Sequence, residues 1–208
     1  MILVVGGVKG GSGRTTIALN LFAKLLKENK KCLLVDCGIC GFASMWAENY
    51  TKRTGKQAPY ISWQGNITKQ LSEESSKYDF IIVDCAGVDT VEFRSSLVVA
   101  NKAIFPLKLS SIDLDTLPVI NDISYQVKTF NPDLKAFSIL NMVVKSTSPS
   151  RISEYLTEME KYPHLIPCKT VIQQHQNFIN GLNEGKSIYD LDNEKIKQDF
   201  DSLIKEII

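Results

Sequence analysis

The fold is decided by Val8-Lys9-Gly10-Gly11-Ser12-Gly13-Arg14-Thr15-Thr16, a glycine-rich stretch that directly follows the apolar run Met1 to Val5. A short β-prone run, a glycine-rich turn, two threonines and a segment of helical period form the layout of a phosphate-binding loop. Glycines let the backbone curl with its N–H groups inward, and the positive end of the next helix adds to their attraction for phosphate. The residues from Gly10 to Thr16 are therefore predicted to bind the phosphates of a nucleotide.

A helix is predicted directly after this loop, because apolar side chains recur at helical spacing up to Asn29. These side chains are Ala18, Leu21, Phe22, Leu25 and Leu26. At the start of the helix, Thr15 is placed to offer its hydroxyl to a Mg²⁺ ion beside the phosphates.

The loop departs from the common pattern G-x-x-x-x-G-K-[ST] at two positions, since Val8 replaces the first glycine and Arg14 replaces the lysine. Lysine carries a compact charge on a flexible stem, whereas arginine is a larger planar fork, so the exchange is not conservative. A glycine-rich turn without a ligand is the alternative interpretation. The strand before the loop, the helix after it and the acidic residues described below favour the nucleotide.

Strand-like apolar runs alternate with helix-like stretches along all 208 residues. The runs cover 1–6, 32–37, 79–84, 102–107, 136–144 and 164–168. This alternation predicts an α/β fold, with a mainly parallel, twisted sheet covered by helices on both faces. We expect one domain spanning residues 1–208, a surface loop from Thr51 to Pro59 and a last helix over 193–207.

The loop, with its early lysine, resembles the deviant Walker A loop KGGxGKTT of the ParA/MinD family of P-loop ATPases. Four further stretches resemble motifs of that family in the same order, the last of them typical of short plasmid-partition ParA proteins. They are Lys31 to Asp36, Tyr78 to Gly87, Leu109 to Leu117, and Ile172 to Phe178 with Gly185 to Ile188. The resemblance implies ATP and Mg²⁺ as cofactors, and a homodimer formed on ATP in which Lys9 reaches the partner's nucleotide as a catalytic residue.

Two aspartates end predicted strands and extend the resemblance. Asp84 follows Ile81-Ile82-Val83, where a carboxylate can hold Mg²⁺, usually through water, opposite Thr15. Asp36 matches the first aspartate of the family's D-x-D-P-Q switch, and Gly38 stands where the second, water-orienting aspartate is expected. Asp36 is the remaining catalytic candidate, although its place also suits the Mg²⁺ sphere. Because glycine cannot position water, we predict weak or absent ATP hydrolysis.

The resemblance also places an adenine-contacting asparagine at Asn141, whose amide can both donate to and accept from a base edge. A turn-forming asparagine is the alternative at this position. Cys37 and Cys40 form a C-x-x-C pair, which suits redox exchange or a metal shared across a dimer. Small apolar fillers of a divergent switch loop are the favoured interpretation of that pair.

Composition excludes several classes of protein. The net charge of +1 gives no bulk attraction to nucleic acid or membrane, and no apolar run approaches the length of a membrane span. Five cysteines beside an intracellular nucleotide motif favour reduced thiols and a cytoplasmic location.

Four lysines near the carboxyl end suit either a phosphate-tracking patch or an ordinary solvent-exposed surface. They are Lys169, Lys186, Lys195 and Lys197.

The sequence therefore predicts a ParA-like, nucleotide-dependent switch in plasmid or chromosome partition. Its expected partners are non-specific DNA and a ParB-like or other adaptor protein. A non-hydrolysing scaffold or positioning protein, in conjugation or polar placement, is the alternative. A redox or metal protein built on Cys37 and Cys40, and a small-molecule ligase or kinase, rank lower.

Overall fold

The computed structural model describes residues 1–175 and 181–208. Within them, seven parallel strands form one sheet in the order β3-β2-β4-β1-β5-β6-β7. The strands are β1 (Ile2–Val5), β2 (Cys32–Asp36), β3 (Tyr60–Ser62), β4 (Phe80–Asp84), β5 (Lys102–Leu107), β6 (Lys135–Leu140) and β7 (Ile166–Pro167). The predicted α/β class and parallel sheet are confirmed.

Helices connect the strands and cover both faces of the sheet. They are α1 (Arg14–Lys27), α2 (Phe42–Thr54), α3 (Thr68–Glu74), α4 (Val91–Leu97), α5 (Ser111–Leu114), α6 (Leu117–Val127), α7 (Pro149–Met159) and α8 (Glu194–Ile207). A short 3₁₀ turn, Ile188–Asp190, precedes α8.

The central strand β1 is buried on both sides, which explains its uninterrupted apolar sequence. Leu3 and Val5 pack into the core that contains α1, α2 and α8, and Ile2 and Val4 face the core that contains α4 and α6. This double burial fixes the end of β1, and with it the start of the glycine-rich loop, in the middle of the sheet.

Two predicted boundaries were wrong. The expected loop from Thr51 to Pro59 begins later, because α2 continues to Thr54 and the hydroxyls of Thr51 and Thr54 donate back to carbonyls one turn earlier. The expected strand over 136–144 ends at Leu140. In addition, β3 was missed because its three residues are exposed and carry no apolar pattern. Residues Gln176 to Phe178 of the predicted carboxyl-terminal motif lie outside the described residues.

The segment before α8 is fixed to α1 and α2 by buried hydrogen bonds. Asn20 accepts from the Ile188 N–H at 2.8 Å, and the Trp46 indole donates to the Lys186 carbonyl at 2.9 Å. Gly185 packs so closely that an added Cβ would lie 2.2 Å from the Tyr50 nitrogen, and its φ of 65° favours glycine. The segment can therefore dock only with glycine at position 185.

Gly185→Ala should destabilise the protein by about 3 kcal/mol or more, because it adds backbone overlap to the cost of a left-handed alanine. The matched control is Gly55→Ala, at a φ of 70° with open space around the added Cβ, which should lose only about 1 kcal/mol. Urea denaturation of both variants measures the difference. Equal losses of stability in the two variants would contradict the close packing of Gly185 against α2.

Candidate nucleotide site

The glycine-rich loop lies between the end of β1 and the start of α1. Gly11 and Gly13 have left-handed φ angles of 78° and 86°, and Gly13 is the N-cap residue of α1. A Cβ added to Gly13 would lie 2.4 Å from the Asn141 side-chain nitrogen. The loop thus adopts a curled backbone in which residues other than glycine would be strained at these two positions. It lies directly over the positive end of a helix.

Arg14 folds back beneath the loop and does not extend into solvent. Its guanidinium donates to the Lys9 carbonyl and, at 3.3 Å, to the Ser12 hydroxyl. The side chain also packs against Gly87, where an added Cβ would lie 2.0 Å from an Arg14 nitrogen. Burial lowers the pKa of Arg14, and the nearby Asp84 opposes this effect. Arg14 therefore braces the loop against the turn that follows β4.

Lys9, at the other end of the loop, is held within the same chain. Its ammonium forms an ion pair with Asp113, which is almost fully buried after β5. The Asp113 carboxylate also accepts from the Ser110 hydroxyl at 2.5 Å and from the Lys108 N–H at 3.1 Å. These donors, with Lys9, keep the pKa of Asp113 below its usual range despite burial.

Asp84 and Thr15 meet beneath the loop, as a shared Mg²⁺ site requires. Asp84 is buried, accepts a hydrogen bond from Thr15, and keeps one carboxylate oxygen without a partner among the described residues. Burial raises the pKa of Asp84 to about 7, and the hydrogen bond from Thr15 opposes this rise. A buried carboxylate oxygen beside a hydroxyl is a fitting donor set for Mg²⁺, which takes one or two protein ligands together with phosphate and water.

Asp36 is the register partner of Asp84 on the adjacent strand, but its carboxylate is already occupied. One oxygen accepts from the Gly38 N–H at 2.9 Å, and the other accepts from the N–H and hydroxyl of Ser44, both at 2.8 Å. Asp36 therefore caps the start of α2. No side chain at position 38 is available to orient water, since that residue is glycine.

An open cleft lies beside the loop, between the start of α1 and the segment that follows β6. Its lining includes Thr16, Ile17, Asn141, Ile172 and Phe200. Asn141 is buried and donates to the Ser12 carbonyl at 2.7 Å, so its amide nitrogen supports the loop. The cleft is mostly apolar and borders Gly13 of the loop.

The C-x-x-C pair is divided between the core and the surface. Cys37 is buried and Cys40 is exposed. A hydrogen bond with the Cys85 thiol, together with burial, raises the pKa of Cys37. Residues 1–175 and 181–208 contain no group of three or more His, Cys, Asp or Glu arranged to hold a metal. The burial of Cys37 matches a small core filler, whereas Cys40 is exposed and fills no core position.

Three of the four lysines near the carboxyl end are paired with acidic residues. Lys186, Lys195 and Lys197 pair with Glu184, Asp199 and Glu194 at 2.5–2.7 Å. Such local pairing reduces the positive field that would attract a phosphate backbone.

None of the helices within residues 1–175 and 181–208 has the length and apolar character needed to span a lipid bilayer.

Sequence reasoning missed two residues of this site, Lys108 and Asp113. Both follow β5, the neighbour of β1 in the sheet, and both lie beside the loop. The strand order was the missing signal, because it alone places the end of β5 against the loop. Asp113 lies within a stretch matched to the family, but the resemblance gave it no role.

Comparisons with known proteins agree with this geometry. A family model described as the CobQ/CobB/MinD/ParA nucleotide binding domain matches residues 3–188. Maintenance of carboxysome distribution protein A from Halothiobacillus neapolitanus is 26% identical over 191 residues, covering 91% of this chain and 87% of that protein.

Two solved structures are similar in fold. An ATP complex of a McdA variant from Cyanothece has a TM-score of 0.77 at 15% identity, covering 98% of this chain and 95% of that one. A putative plasmid partition protein from Borrelia burgdorferi, bound to AMPPNP, has a TM-score of 0.75 at 18% identity, covering 99% of both chains.

Asp84→Asn should stabilise the metal-free protein at pH 8 and should stabilise it by less than half as much at pH 5. The pKa of Asp84 is about 7 in the folded chain and 3.8 as the ordinary value, so the folded state binds the proton more tightly. Asp84 thus favours folding fully only below pH 3.8, and this contribution is lost progressively as the pH rises from there to about 7. The difference is at most on the order of 4 kcal/mol, since each pKa unit corresponds to about 1.4 kcal/mol.

Urea denaturation in EDTA at both pH values measures this effect. Asp133→Asn is the matched control, because Asp133 is exposed and its replacement should change neither value. A loss of stability in Asp84→Asn at pH 8 would contradict the burial and the unpartnered oxygen described for Asp84.

Proposed function

Because the chain belongs to the CobQ/CobB/MinD/ParA nucleotide-binding family, we propose that it is a ParA-like switch that binds Mg-ATP and dimerises on it. The observation that carries the proposal is the convergence at one sheet edge of a curled glycine loop, the Thr15–Asp84 pair and a mostly apolar cleft. The loop would bind the phosphates, the Thr15–Asp84 pair would bind the metal ion, and the cleft would accept the base.

In this proposal the backbone from Gly10 to Thr16 holds the phosphates, and Thr15 and Asp84 hold the Mg²⁺. The bound ion would neutralise phosphate charge. The unpartnered oxygen of Asp84 supports this assignment, because a buried carboxylate without a hydrogen bond is costly unless another group compensates it. Asn141 and Ile172 would contact the base, with the Asn141 amide nitrogen already committed to the loop.

A second copy of the chain is the proposed partner for the loop face. Five apolar side chains on the segments following β2, β4 and β5 are more than half exposed at this edge. They are Ile39, Phe42, Val88, Val91 and Ile112. Such a patch around a charged loop suits a symmetric interface. Lys9 would then leave Asp113 and reach the partner's nucleotide, as the family resemblance implies.

Hydrolysis in this switch should be weak. The carboxylate of Asp36 already accepts three hydrogen bonds, and Gly38 offers no side chain to orient water. Phosphoryl transfer depends on such positioning, so its absence can slow turnover by orders of magnitude. The phosphate loop does not depend on Gly38, and binding should therefore persist without rapid hydrolysis.

The cargo of such a switch could be a plasmid, a chromosome or a protein assembly. Among these, positioning of a protein assembly has specific support, because the carboxysome-distribution relative matches nearly the full length of the chain. We propose an adaptor protein, ParB-like in role, as the second partner. Non-specific DNA is the proposed track, on a surface other than the three lysines already paired with acids.

Calorimetric titration with Mg-ATP tests the nucleotide proposal directly. One molecule should bind per chain, and Thr15→Ala should lose most of the dependence on Mg²⁺. A wild-type chain that binds no nucleotide at millimolar concentration would refute the proposed function.

Gly38→Asp should raise ATP turnover at least tenfold, since it places a carboxylate where water-orienting groups act. The added Cβ would lie 3.2 Å from the Asp36 carboxylate, so that carboxylate must shift by a few tenths of an ångström in either variant at position 38. Gly38→Ala adds the same Cβ without the carboxylate and is the matched control. Phosphate release is measured for all three proteins.

Rapid hydrolysis by the wild-type chain would show that position 38 does not limit turnover. Equal rates in Gly38→Asp and Gly38→Ala would also reject the role assigned to the missing carboxylate.

A further inference from the structure

The phosphate loop has a third cationic neighbour, which comes from a different strand. Lys108 directly follows Leu107, the last residue of β5, and β5 pairs with β1 in the sheet. The carboxyl end of β5 therefore lies beside the point where the loop leaves β1. No part of the loop motif itself specifies a lysine at this position.

The backbone of Lys108 is held in place by Asp113. The Lys108 N–H donates to the Asp113 carboxylate at 3.1 Å, and the Lys108 carbonyl accepts from the Ser110 N–H at 2.9 Å. Because the same carboxylate binds the Lys9 ammonium, Asp113 positions one lysine through its backbone and the other through its side chain.

The ammonium of Lys108 lies close to the loop. A Cβ built on Gly11 would be 3.6 Å from this nitrogen, and Gly11 itself has a left-handed φ of 78°. Within the described part of the chain, the Lys108 ammonium makes neither a hydrogen bond nor an ion pair. A partly buried cation beside curled backbone N–H groups is a favourable site for an anion.

The other two cations at the loop are already engaged. The Arg14 guanidinium is bound to the Lys9 carbonyl and the Ser12 hydroxyl, and it packs against Gly87. The Lys9 ammonium is paired with Asp113. Of these three cationic side chains, Lys108 is therefore the one whose charged group has no partner among the described residues to give up before it binds phosphate.

We propose that Lys108 supplies, from the end of β5, the phosphate-binding ammonium that the common loop motif places at position 14. This inference rests on the proposed nucleotide function and assigns one residue of that site. Arg14 then serves as the brace beneath the loop, while the compact charge of Lys108 acts on the phosphates. The ligand class is a nucleoside di- or triphosphate, bound in cis.

Lys108→Gln should weaken binding of Mg-ADP and Mg-AMPPNP by about tenfold or more, because it removes a charge-assisted hydrogen bond to phosphate. Binding of AMP, which lacks the outer phosphates, should change less than twofold. Lys108→Arg should retain part of the affinity. Competition against a fluorescent ADP analogue measures all three ligands, and thermal unfolding establishes that each variant is folded.

The matched control is Lys135→Gln, which removes the same charge at the amino end of β6, at the other end of the strands from the loop. This variant should bind all three ligands as the wild type does. Wild-type affinity for ADP in Lys108→Gln would overturn the assignment of Lys108 while leaving the nucleotide function intact. An equal loss for AMP and ADP would also overturn it, since the effect would then not act through the outer phosphates. A wild-type chain that binds none of the ligands would instead refute the proposed function.

Discussion

A single buried guanidinium ties the phosphate loop to the turn after β4. Arg14 holds the Lys9 carbonyl on one side and packs on Gly87 on the other. The loop belongs to the central strand and the turn follows the strand that ends in Asp84, so the brace joins the proposed phosphate and metal parts of the site. The charge of Arg14 is stabilised by bonds from one guanidinium nitrogen to a carbonyl and a hydroxyl oxygen, while its buried Nε has no partner among the described residues.

This constraint separates two roles that one lysine combines in the common loop. In the proposed assignment, arginine at position 14 supports the loop structurally and the charge for phosphate comes from another residue. The end of β5 provides both a cation, Lys108, and the carboxylate Asp113 that organises it. On the acidic side, Asp84 retains an oxygen for a metal, whereas Asp36 is committed to α2. The site is thus better equipped to hold a nucleotide than to cleave it.

Much of this arrangement was predictable from the sequence. The glycine loop and the strand-end positions of Asp84 and Asn141 are local patterns, and parallel strands bring their carboxyl ends to one edge. The contacts among them were not predictable in the same way. Lys9 and Asp113 are separated by 104 positions, so their pairing depends on the order β4-β1-β5, which no local period encodes.

The directions of individual side chains were equally hidden. The sequence predicted Arg14 as a phosphate ligand. The direction of its guanidinium depends on the close contact with Gly87, which the sequence does not show. Asn141 is predicted to contact a base, and the sequence did not show that its amide nitrogen also donates to the Ser12 carbonyl. The short strand β3 had no apolar alternation to reveal it, because all three of its residues are exposed.

The central claim is that ATP, once bound, holds the chain as a dimer because hydrolysis is slow. Size-exclusion chromatography with light scattering after incubation with Mg-ATP, followed by identification of the nucleotide in each peak, tests it most directly. The account predicts a species of twice the chain mass that carries intact ATP. A monomer without nucleotide, or a dimer carrying only ADP, would contradict it.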